Sequence, residues 1–92
     1  MFANFLLGTL QISEDAKLKL HRIPYDLVAR HAVNEHGKIT RKEYAANYEA
    51  MQTVGNIMSR YMVDPTDPTK GNVIIVTHKA WGETLIRLEH EA

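Results

Sequence analysis

The nine residues RHAVNEHGK, Arg30 to Lys38, set His31, Glu35 and His36 close together, and these are the side chains of a zinc site or of a general acid and base. The spacing works against both. His31 and Glu35 are four apart and so share a helix face, whereas His36 is five from His31, a rotation of roughly 140° that directs it elsewhere. Zincin signatures hold two histidines in one helical register beside the catalytic glutamate. "HAVNEH" has one residue too many for the H-x-x-E-H form. The alternative is a helix end, with His31 turned into the core and satisfied there. His36 then sits in the last turn, where a donor or cation suits the helix C-terminus, and Gly37 closes it.

Other chemistry is equally sparse. The chain has no G-x-S-x-G elbow, phosphate loop or glycine-rich dinucleotide turn, and Ser13 and Ser59 have no sequence cue to a general base. Asp64 and Asp67 stand in DPTDPTKG, where Asp-Pro turn chemistry accounts for them. The expectation is a protein that is not an enzyme, with no cofactor and no metal.

The elements that must position these residues follow from local patterns. The opening MFANFLLGTLQIS lacks a basic n-region and turns polar early, so it reads as a strand and not as a signal peptide. Ser13 caps a short helix from Glu14 to about Leu20, with acids in its first turn. Pro24 starts a second helix that runs to about Glu35 or His36, with Leu27, Val28, His31 and Ala32 on one stripe. Thr40 and Glu43 form a capping box for a third helix, on which Tyr44, Tyr48, Met51 and Gly55 are read as the buried stripe.

After Gly55 the period changes from helical to alternating. IMSRYMV alternates, DPTDPTKG turns, NVIIVTH is apolar on both faces as a central strand is, KAWGE turns again, and TLIRLE points Arg87 outward with Ile86 and Leu88 inward. The predicted fold is α+β, with a four-stranded antiparallel sheet in the order β-ααα-βββ and the helices packed on one face, as a single domain over residues 1–92.

Ninety-two residues allow one core and little room for a deep cleft. Zero cysteines exclude disulfides and thiolate zinc sites and suit a reducing cytoplasm. No apolar run approaches the roughly 20 residues that would span a bilayer, so a soluble protein with no membrane partner is expected. Eleven basic and eleven acidic residues cancel, which argues against a non-specific DNA binder. The balance hides an asymmetry: from Lys17 to Lys42 there are seven Lys and Arg against Asp26 and Glu35 alone. The candidate contact residues are therefore on the surface. Lys38, Arg41 and Lys42 gather at the start of the third helix, Lys70 and Lys79 flank the central strand, and Trp81 sits at a hairpin tip, where a large ring either serves as a binding anchor or folds back over the sheet edge.

A scattered pattern accompanies these features: Gly8, Ser13 and Ala16; Leu27, Arg30, His31 and Gly37; Asn47, Ala50, Ser59 and Tyr61; Thr77, Thr84, Leu88 and Glu91. In this pattern the chain resembles a family of small proteins carried on plasmids, integrated elements and phages. The loop DPTDPTKG is longer than that family's tight turn, and Trp81 departs from its pattern. The resemblance implies a fold and a mobile-element setting, and it carries over no catalytic residue. Within that setting the chain is similar in kind to phage inhibitors of host defence, among them anti-CRISPR proteins of type I systems, which occupy a surface of an RNA-guided complex. The expected partner is a host protein or ribonucleoprotein of that type, contacted in part through guide RNA or DNA backbone in the host cytoplasm. The alternative is a small nucleic-acid-binding regulator of the mobile element.

Overall fold

The computed structural model describes residues 5–91, so the start of the strand expected from Met1 lies outside the described residues. The elements are β1 (Thr9–Ile12), α1 (Glu14–Leu20), α2 (Tyr25–Ala32), α3 (Arg41–Met51), β2 (Asn56–Met62), β3 (Asn72–His78) and β4 (Glu83–Leu88). A single 3₁₀ turn, Pro68–Lys70, interrupts the β2–β3 connection. The β-ααα-βββ order and the α+β class are as the sequence predicts.

The sheet is mixed and not antiparallel. Its spatial order is β1-β4-β3-β2; β2, β3 and β4 form the antiparallel meander, and β1 lies parallel to β4, pairing Thr9 with Glu83 and Ile12 with Ile86. Alternation in a four-residue strand shows which face is buried and carries no direction. The long helical excursion between β1 and the meander supplies the crossover that a parallel pair requires. Gly8 makes the approach possible: its φ is +68°, and a Cβ there would run into the Gly82 carbonyl, which accepts from Thr9 N at 2.9 Å.

The helices cover one face of this sheet. Ala16 of α1 and Val28 of α2 pack with Tyr61, Val73, Ile75, Ile86 and Leu88, while Ala50 of α3 packs with Ile57 and Phe5. Ser13 caps α1 through Ala16 N and also donates to Glu91 Oε1 at 2.7 Å, which ties the first helix to the end of the chain. The capping box of α3 forms as expected, Thr40 N to Glu43 Oε1 at 2.8 Å and Glu43 N to Thr40 Oγ1 at 3.1 Å.

Two helix readings need correction. α2 ends at Ala32, where Asn34 takes a left-handed φ of 64°, a conformation that Asn tolerates better than most residues. On α3 the buried residues are Asn47 and Ala50, and Tyr44 and Tyr48 are 62% and 66% exposed. The helix buries its small residues because it lies close along the edge of β2, and the large rings fit only on the outside.

Asn47 explains that placement. β2 is an edge strand, and its outward backbone groups would be open to pairing with another chain. The Asn47 amide accepts from Met58 N at 2.9 Å and donates to Met58 O at 2.7 Å, standing in for a neighbouring strand. Further along, Arg60 N donates to His36 O and Lys38 N donates to Arg60 O. Asn47→Ala leaves both Met58 groups without these partners, and should cost about 1–3 kcal/mol in equilibrium denaturation. A loss below about 0.5 kcal/mol would show that the edge does not depend on it.

Candidate interaction surface and the buried histidine network

His31, fully buried, and His36, 8% exposed, meet on one hydroxyl. Ser59 Oγ lies 2.5 Å from His31 Nδ1 and 2.7 Å from His36 Nδ1. Helix geometry over five residues would separate the rings, but the helix stops at Ala32 and the chain doubles back, bringing the centroids to 5.7 Å. Glu35 does not join them. It pairs with Arg30 at 3.6 Å on the surface, and Arg30 in turn stacks over Tyr61, whose hydroxyl donates to Glu35 O at 2.6 Å.

The network continues across the sheet. His31 Nε2 lies 2.9 Å from Thr77 Oγ1, Thr77 Oγ1 lies 2.7 Å from Thr84 Oγ1, and Thr84 donates to Leu7 O at 2.7 Å. One terminal carbonyl fixes every proton. Thr84 spends its proton on Leu7, so it accepts from Thr77; Thr77 accepts from His31 Nε2–H, leaving Nδ1 as an acceptor for Ser59, which accepts from His36 Nδ1–H. A second proton on His31 would turn its Nδ1 from acceptor to donor and force His36 into its other tautomer to receive the Ser59 proton.

Burial, reinforced by the charge of His36, pushes His31 down to about 3, and burial lowers His36 as well. Ser59, which links the two rings, has no exposed surface. Among the described residues no three metal-ligating side chains cluster.

The predicted contact residues fall into four situations. Lys38, Arg41 and Lys42 are exposed around the start of α3 and make no salt bridge among the described residues. Lys79 is turned to structural use: its ammonium donates to Ala50 O, Met51 O and Thr53 O at 2.9, 3.2 and 2.6 Å, closing the C-terminus of α3. Trp81, 73% exposed, stacks on His78 with centroids 4.8 Å apart at the β3–β4 hairpin tip. Lys70 stands apart, 3.5 Å from Asp64 in the β2–β3 loop and at the other end of β3 from Lys79. The basic corner and the Trp81 hairpin therefore mark the two ends of α3, roughly 16 Å apart along its axis.

Arg60 is the residue that the sequence did not single out. It donates to Glu43 through both terminal nitrogens (2.7 and 2.9 Å), to Glu89 through Nε (2.6 Å) and to Lys38 O (2.9 Å). This fixes the start of α3 and the basic corner against the sheet. The guanidinium holds Glu43 down at about 2, and the Asn72 amide, with the guanidinium second, draws Glu89 below the usual carboxylate range. An arginine at an alternating position in an amphipathic strand looks like any solvated one, and only tertiary structure reveals its partners.

No family model, no curated protein and no solved structure matches the chain. What the chain does must therefore be argued from its own surface. Among the described residues, no helix is long and apolar enough to cross a membrane.

The buried network predicts an acid response. Unfolded His31 takes up a proton near pH 6.5, and folded His31 does so only near 3, so stability is unaffected at neutral pH and falls as the pH drops from about 6.5 toward 3. The slope for this one group approaches about 1.4 kcal/mol per pH unit. Glu43 adds a loss only at lower pH, between its ordinary 4.5 and about 2. Imidazole NMR should find His31 neutral in the folded protein at pH 5. Denaturation of His31→Gln should show a flatter slope between pH 6.5 and 4.5, and an unchanged slope would contradict the assignment.

Proposed function

We propose that this is a non-enzymatic binding protein that uses α3 and the loops at its two ends to occupy a surface of a nucleic-acid-handling complex. The observation that carries the reading is the state of Lys38, Arg41 and Lys42. Arg41 and Lys42 occupy the first turn of α3, the end at which the helix dipole favours acids, so their placement works slightly against the helix. Three exposed cations that form no salt bridge among the described residues, held in place through Arg60, are fit for a polyanion or an acidic protein face.

The mobile-element resemblance suggests which complex. We take the target to be a type I CRISPR surveillance complex in the host cytoplasm, with the protein acting as a phage- or plasmid-encoded inhibitor that blocks target-DNA binding by steric and electrostatic contact. Trp81, at the far end of α3, supplies an apolar anchor of the kind that dominates interface energies.

The test is capture of a purified surveillance complex, with target-DNA binding read alongside. Inhibition at saturating protein is expected, and normal DNA binding across several type I complexes would overturn the reading. Reversal of the corner (Lys38→Glu, Arg41→Glu, Lys42→Glu) should weaken capture and flatten its salt dependence. The same variant should keep or slightly raise thermal stability, because acids suit the first turn. Undiminished capture would place the contact elsewhere.

A further inference from the structure

A recess of about 120 Å³ opens beside α3, lined by Asn34, His36, Tyr44, Asn47, Tyr48 and Met51. That is room for about four waters, or for one flat ring system. His36 is more than nine-tenths buried there. Its Nδ1 is committed to Ser59, and Nε2 makes no hydrogen bond among the described residues and is open to solvent. The proton order fixed by the Leu7 carbonyl makes Nε2 of neutral His36 an acceptor. The Asn47 amide is fully used by Met58 and adds no donor to the recess.

Tyr44 and Tyr48, one turn apart and more than half exposed, stand at the opening. Arg41 precedes them by three and seven residues and so shares their stripe, with Lys38 and Lys42 beside it at the same end of the helix.

We propose that this recess takes the base of an unpaired nucleotide, stacked on a tyrosine ring and donating an N–H to His36, with the flanking phosphates on Lys38, Arg41 and Lys42. Each part of the ligand answers one part of the site. Every nucleobase carries an N–H on its pairing edge and two aromatic faces, so recognition is by strand state and not by sequence. In a duplex those edges are paired and the faces stacked, which excludes it. An apolar side chain from a protein would leave the His36 acceptor and the three cations unanswered. The inference deepens the proposed function and rests on its premise that the partner carries nucleic acid, since a ribonucleoprotein target presents single-stranded guide.

Fluorescence anisotropy with a labelled single-stranded RNA, the same sequence as DNA, and a duplex of that sequence tests it. The single strands should bind, and the duplex should bind at least about tenfold more weakly. Tyr44→Ala with Tyr48→Ala should lose about tenfold or more for single strands, the scale of one base stack. Tyr44→Phe with Tyr48→Phe should retain binding, and because these rings are exposed neither pair should disturb the fold. Equal binding of duplex, or full binding by the alanine pair, would overturn the recess and leave only a phosphate contact. Capture of the surveillance complex, read in parallel, keeps the two ideas apart. Capture without single-strand binding overturns this inference alone, and single-strand binding without capture overturns the proposed target alone.

Discussion

His31 has no exposed surface, so both of its ring nitrogens must find partners inside the protein or the fold forfeits a desolvated polar group. That constraint reaches most of the chain. One nitrogen requires Ser59 on β2, and through it His36 on the segment leaving α2. The other requires Thr77 on β3, and Thr77 requires Thr84 on β4, which ends at the Leu7 carbonyl ahead of β1. Three neighbouring strands, one helix and both flanking segments are thus held by a single line of hydrogen bonds with one consistent direction. The chain turns out of α2 at Asn34 and brings His36 and Lys38 alongside β2, where their backbone groups cover the strand's edge. The buried histidine and the protected edge are consequences of one path.

The proposed contact surface is the outer side of the same construction. Because α3 lies close along β2 and satisfies Met58 through Asn47, it can bury only small side chains, and its tyrosines are forced outward. Arg60 anchors the start of the helix through Glu43, and Lys79 closes its end. Both ends are pinned by these contacts, which set where the basic corner is presented. A preorganised charged surface loses little freedom on binding.

Much of the fold was legible in local pattern. Ser13, Thr40 with Glu43, the prolines and glycine of DPTDPTKG and the doubly apolar NVIIVTH each report a cap, a turn or a central strand through interactions within a few residues. What was not legible depends on distant residues. The direction of β1 is decided by its pairing with β4, and the outward turn of Tyr44 and Tyr48 by how near α3 lies to β2. The meeting of His31 with His36 is decided by an early helix end. Several residues scattered along the sequence meet one another in the fold. Ser13 meets Glu91, Arg30 meets Tyr61, His31 meets Ser59 and Thr77, and Gly37 gives way to the Tyr61 ring. These contacts hold the fold together.

The proposed partner contact lies along α3. Hydroxyl-radical footprinting of the protein alone and in its captured complex tests this directly, because the informative side chains, Tyr44, Tyr48, Met51 and Trp81, report on the two ends and the middle of the helix. Protection of Tyr44 and Tyr48, with Tyr25 on α2 remaining reactive, is the predicted result. Full reactivity of Tyr44 and Tyr48 in the bound state would contradict it.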